Sequence, residues 1–278
     1  MIRLSVSFPA RMDARAIMPL GLSTPHTAPV SFGIEGARLS CVTHPETGQV
    51  IGIATPESDQ VTIAYDFCLN GAAYPETLFQ ARDSRYTRTA ADLAKDAVHV
   101  AQAAGGGRAG LLALMNHTAA QFDYGHPEDR FYDGHAEVPQ LCGLTQGSCV
   151  DINIYLIAAL RAAGYEAGYV TGYFVPEEKR TWCSDGHCWV VTRHDGAIEE
   201  WDIAHFLKRG RRDIEPGLNP RPGVRVAMAH SMGWTLPALG LVDAKLMGPP
   251  GWLLPDGRLE EAEGQEIRLE GYEVLAAA

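Results

Sequence analysis

Three side chains in this sequence have the types and the spacing for nucleophilic acyl chemistry: Cys149, His187 and Asp202. A thiolate can attack a carbonyl carbon, an imidazole can take and return the proton, and a carboxylate can hold that imidazole in one orientation. Each also has a plainer reading. A cysteine at a helix start is usually a small core residue, His187 can cap a strand, and Asp202 can begin a turn. The plain account must explain three placements separately; the catalytic account explains them together.

The flanking sequence says how they would be positioned. Cys149 follows Gln146-Gly147-Ser148, and Ser148 with Asp151 three residues on makes a capping-box-like start. That places Cys149 in the first turn of the helix SCVDINIYLIAALRAAG, where free N–H groups and partial positive charge favour a thiolate. Cys149, Ile152, Leu156, Ala159, Leu160 and Ala163 fall on one stripe, so the sulfur points in with the packed face. Asp151 opposes the thiolate, so a second activator is needed. His187 opens the apolar strand HCWVVT, and RHDG leads to a second strand, AIEEWDI, carrying Trp201 and Asp202. A four-residue loop from Arg193 to Gly196 sets His187 across from Asp202, whereas a two-residue Asp195-Gly196 turn sets Asp202 across from Trp189. Side chains alternate with period two, so both registers leave His187 and Asp202 on one face.

The rest of the chain supplies the frame. Residues 1–75 read as β-rich, with VTIAYDFCL alternating as a strand. A helical pattern runs from Ala90 to about Ala120, broken at Gly105-Gly106-Gly107. Residues 121–147 form a long loop rich in Gly, His, Pro and Asp, a feature more often functional than random. AGYVTGYF reads as a strand, Arg209 to Pro222 as a connecting loop, and VRVAMA and EIRLEGYEVL as short strand-like pieces. The organisation expected is a β-rich region at 1–75, a catalytic core at 76–215 and a C-terminal extension at 216–278.

With 278 residues, 46% hydrophobic and 21% charged, the chain can bury a core without disulfides or structural metal. Its 23 basic against 34 acidic residues give a net charge of −11, which repels phosphate backbones and argues against nucleic acid. There is no apolar run of about 18 residues to suggest a membrane span. The start, MIRLSVSFPARMDARAIMPLG, lacks the unbroken apolar stretch of a signal peptide, so a cytoplasmic location is expected. Six scattered cysteines then imply free thiols rather than a disulfide framework. A zinc site using Cys183, His187 and Cys188, with His194 or His205 nearby, is a rival. It is weakened because adjacent strand residues face opposite ways and no paired CxxC spacing is present.

The block GSCVDINIYLIAALRAAGYEAGYVTGYF, followed by GHCWVV and EEWDIAHF, resembles the transglutaminase-like superfamily, whose bacterial members include cysteine enzymes and proteases. The blocks keep that family's Cys, His, Asp order from about Gly147 to Phe206. The resemblance implies an α+β, papain/transglutaminase-like core. A helix bearing Cys149 would pack on an antiparallel sheet bearing His187 and Asp202, behind a small β-rich segment. It implies Cys149 as nucleophile, His187 as general base and acid, and Asp202 as orienting group. Cys188 departs from the pattern, since many relatives carry a small residue such as Ala there. The expected function is acyl transfer from a peptide, protein or small amide through a thioester, ending on water or an amine, with no cofactor or metal. The backbone N–H of Cys149 is aimed at the oxyanion, Gln146 is a second candidate donor, and Trp182 and Trp189 are candidates to wall the cleft. The alternative is a catalytically silent binding module on the same fold.

Overall fold

The computed structural model describes residues 1–69, 71–217, 220–245 and 248–278. The first part of the chain is a run of strands: β1 (Ile2–Pro9), β2 (Arg15–Pro19), β3 (Ala28–Glu35), β4 (Ala37–Thr43), β5 (Val50–Pro56) and β6 (Gln60–Cys68). Next come α1 (Ala91–Ala103), α2 (Gly107–Gln121), β7 (Phe122–Tyr124), β8 (Thr145–Gly147), α3 (Cys149–Ala162) and β9 (Glu166–Pro176). They lead to β10 (Trp182–Cys183), β11 (Gly186–His194), β12 (Ala197–Trp201) and α4 (Ile203–Lys208). The last part holds β13 (Gly223–His230), β14 (Trp234–Leu236), β15 (Leu241–Ala244), β16 (Gly251–Leu253), β17 (Leu259–Glu261), β18 (Glu266–Glu270) and α5 (Tyr272–Ala276).

The fold is α+β, as the sequence predicts. Its working layer is the antiparallel sheet β12-β11-β9-β13, with α3 packed on one face. The Asp195-Gly196 turn is the tight one: both residues have positive φ, 50° and 77°, and His194 pairs with Ala197. Such two-residue turns match the twist of the strands they join. Continuing that register sets Asp202 across from Trp189, two positions from His187 and on the same face. At Gly172, opposite His187, any side chain would meet the Val226 carbonyl, since a Cβ there would lie 2.0 Å from its oxygen. The glycine therefore lets β13 close on β9 beside the site.

Beyond this layer, two five-stranded antiparallel sheets, β10-β18-β1-β6-β3 and β17-β16-β2-β5-β4, enclose a second core around Leu4, Val6, Tyr65 and Trp252. That core continues into Tyr173, Val175, Val224 and Val226 of the working sheet. The first and last parts of the chain therefore share sheets: β18 pairs with β1, and β16 with β2. The strand β13, sequence-distant from the rest of its sheet, lies beyond a boundary drawn at residue 215. In EIRLEGYEVL, only Glu266–Glu270 is extended. Gly271, at φ 86°, turns the chain, and Tyr272–Ala276 is helical rather than strand-like. The single stripe expected on α3 also understates its burial, because every residue from Cys149 to Leu160 is buried.

Candidate active site

Cys149 opens α3, whose start is fixed by the expected capping box: the Ser148 N–H and Oγ reach Asp151 Oδ2 at 2.6 and 2.7 Å. Arg130, from the long loop, also donates to that oxygen and reaches Ser148 Oγ at 3.0 Å. The carboxylate that would have opposed a thiolate is thus paired with a guanidinium. Cys149 is 7% exposed, and its thiol pKa lies well below the ordinary value. A hydrogen bond from the Cys188 thiol is the main cause. The hydrogen bond and charge of His187 and the charge of Lys208 add to it, together outweighing burial. Cys188 itself is pushed up, mainly by burial and then by Cys149, so it stays a thiol and can donate. Asn153, one turn along α3, donates to the Cys188 sulfur at 3.3 Å.

His187 is buried at the head of β11 and bonds Asp202 Oδ2 through Nε2 at 2.8 Å. Burial lowers its pKa, but the charge and hydrogen bond of Asp202, followed by Cys149, more than reverse this, and the net direction is up. Asp202 follows β12 and caps α4, its Oδ1 accepting from the His205 N–H at 3.0 Å. The same Oδ2 that holds His187 lies 2.9 Å from His205 Nδ1 and accepts from the buried Arg225 guanidinium. Burial alone would raise the Asp202 pKa, but His187, Arg225 and His205 hold it well below the carboxylate range. The His205 ring stacks on His187 at 4.2 Å and 7°. Burial takes His205 down to about 4, so it remains neutral beside the charged pair.

The arrangement brings Cys149, His187 and Asp202 to one place. Gln146 is exposed on β8 and its side chain lies over Gly125, where a Cβ would come within 2.4 Å of it. Trp182 is 46% exposed and carries the Lys179 ammonium 3.6 Å above its ring. Trp189 is buried with Tyr74, Leu78 and Phe79 and also borders the cleft that holds Glu200 and Arg225. Cys183 sits in the second core, and burial pushes its thiol up to about 12. Among the described residues, the group spaced to hold a metal is His187, Asp202 and His205, not the Cys183, His187 and Cys188 set. Within that group Arg225 already occupies the carboxylate with a fixed positive charge, which disfavours a cation there.

Sequence reasoning assigned no role to Arg225 or Arg130 and weighed His205 only as a zinc ligand. Arg225 did leave a signal: it is the one charge in the apolar strand GVRVAMAH, and a lone charge in such a strand calls for a buried partner. Arg130, in an irregular loop, left none.

A cysteine-bearing helix start set against an antiparallel sheet bearing histidine, with aspartate just after it, defines a papain/transglutaminase-like protein. Residues 91–201 match the model of the transglutaminase-like superfamily. The crystal structure of a "putative cysteine protease" from Cytophaga hutchinsonii is similar over 97% of this chain and 89% of its own, at 13% identity and a TM-score of 0.57. The fold is therefore shared over nearly the whole chain. The periplasmic domain of TgpA from Pseudomonas aeruginosa matches over 76% of this chain and 90% of its own, at 14% identity and a TM-score of 0.37. No curated protein matches.

Proposed function

We propose that the protein is a cysteine-dependent enzyme that cleaves amide or peptide bonds through a thioester on Cys149. The observation that carries this reading is the His187 ring, bound through Nε2 to Asp202 with its other nitrogen left for the Cys149 sulfur. In the resting state the pair is a thiolate and an imidazolium. The sulfur adds to the amide carbonyl, and the resulting oxyanion meets the backbone N–H of Cys149 at the start of α3. His187 gives its proton to the departing amine as the C–N bond breaks. An incoming water loses a proton to His187 and attacks the thioester, releasing the acid and restoring the thiolate. An amine in place of water makes the same cycle a transfer. Asp202 holds the ring through both halves and is itself held by Arg225 and the His205 N–H. A peptide or protein substrate accords with the cysteine-protease name of the structural neighbour. Six free thiols, two of them side by side at the site, favour a reducing compartment such as the cytoplasm.

The test is timed alkylation with iodoacetamide at neutral pH, read by mass spectrometry at each cysteine. Cys149 is expected to label at least about 10²-fold faster than Cys183, and His187→Ala to slow it. A panel of amides and amine acceptors then reads turnover, which Cys149→Ala should abolish. Slow, uniform labelling of all six cysteines would favour a binding module on this fold.

A further inference from the structure

Beside His187 and His205 lies a small cavity of about 70 Å³. Its lining includes Lys179, Lys208 and Arg221 against a single acid, Asp185, in a chain whose net charge is −11. The partners of these cations matter more than their number. Arg221 is paired with Glu178. Lys179 instead rests on the Trp182 ring at 3.6 Å and reaches Ser184 Oγ at 3.3 Å. Lys208 rests on the Tyr124 ring at 4.3 Å. Among the described residues, no carboxylate lies within ion-pair distance of either lysine. An aromatic face orients an ammonium without cancelling its charge, so two held cations face the cavity with capacity for an anion. The volume suits a single carboxylate, comparable to two or three waters. The next cleft, of about 1020 Å³, shares Ser184 and Asp185 with this cavity and bears Glu260, Glu261 and Glu263, so an extended anionic chain would be repelled there.

We propose that this cavity is a carboxylate subsite for the amine part of the substrate, which makes the scissile amide one formed on an amino acid with a free α-carboxylate. The assignment of side rests on the thiol chemistry proposed above, since the departing amine is the part of the substrate that His187 must protonate. Lys179 and Lys208 bind the carboxylate and so orient the nitrogen toward the imidazole.

Two nearly isosteric alkylators, iodoacetate and iodoacetamide, differ in the charge the subsite reads. Each is timed at Cys149 and at the exposed Cys41 of the same molecule. The iodoacetate-to-iodoacetamide rate ratio at Cys149 should exceed that at Cys41 by about tenfold at low salt and shrink above roughly 0.1 M salt. In Lys179→Gln/Lys208→Gln it should collapse to the Cys41 value; because the ratio is taken at one sulfur, any change in that thiol's ionisation cancels. N-acetylglycylglycine should also protect Cys149 from iodoacetamide at about fivefold lower concentration than its C-terminal amide. Fast labelling of Cys149 by both reagents with no excess ratio, or an excess that survives the double substitution, overturns the subsite and leaves the thiol chemistry standing. Slow labelling by both overturns the two together.

Discussion

Two buried cysteines in different regions of this molecule behave in opposite ways. Cys149, 7% exposed at the junction of helix and sheet, has its thiol pKa drawn well below the ordinary value. Cys183, 5% exposed in the second core, is pushed up to about 12. Burial is similar and raises both. The difference lies in what else faces the sulfur: the Cys188 thiol donor, His187 and Lys208 at Cys149, but apolar side chains and the Asp185 charge, only partly offset by Lys179, at Cys183. The histidines repeat the contrast. His187 keeps a net upward shift because Asp202 outweighs its burial, while His230, buried near Arg82 and His44, falls to about 3. Burial therefore favours the neutral form everywhere, and a strong enough partner reverses the sign.

The sharpest way to break the contrast is Asp202→Asn, which removes the charge that holds His187 protonated. Amide turnover should fall roughly 10²–10⁴-fold, and Cys149 alkylation at pH 7 should slow toward the other thiols. Retained rates would show that His187 needs no carboxylate. Arg225→Met should come next, because it leaves the Asp202 carboxylate buried without its guanidinium. A stability loss of about 3–5 kcal/mol is expected in urea unfolding at pH 7, largely recovered in Arg225→Met/Asp202→Asn; no recovery would place the cost elsewhere.

The pH dependence separates the two functions proposed for His187. The Cys149 pKa is lowered from 9.0 and that of His187 raised from 6.5, so both shifts favour the thiolate–imidazolium pair. Alkylation of Cys149 should hold its plateau as pH rises, whereas turnover should fall once His187 loses the proton it gives to the leaving amine. Parallel profiles would contradict the assignment of His187 as the acid. A smaller effect, about three- to tenfold, is expected for Cys188→Ala in the alkylation rate near pH 6, since the thiolate loses a donor worth about 1 kcal/mol or a little more. Turnover at pH 8 should barely change. The smallest test lies away from the site. His230 binds its proton in the unfolded chain near 6.5 but in the folded one only near 3, so folding is favoured above 6.5 and loses this advantage as pH falls from there toward 3. His230→Gln should therefore lose less stability than the parent between pH 7 and 5, by about 1–2 kcal/mol; an equal loss would mean that other groups carry the acid response.

Much of this was legible in the chain itself, for local reasons. A cap and an apolar period start α3 at Cys149, and an Asp-Gly turn with period-two strands puts His187 and Asp202 on one face, because these signals act within about a dozen residues. What completes the site is nonlocal. Arg130 neutralises Asp151 across an irregular loop, and Arg225 arrives on a strand paired only after α4 and a long connection. Cys188 meets Cys149 because a helix and a strand 39 positions apart cross there. Likewise, β18 joins β1 across almost the whole chain. No short-range pattern encodes such meetings. They follow from how sheets and helix bury their apolar faces together, so the sequence named the candidate reacting groups and only the tertiary structure decided which charges surround them.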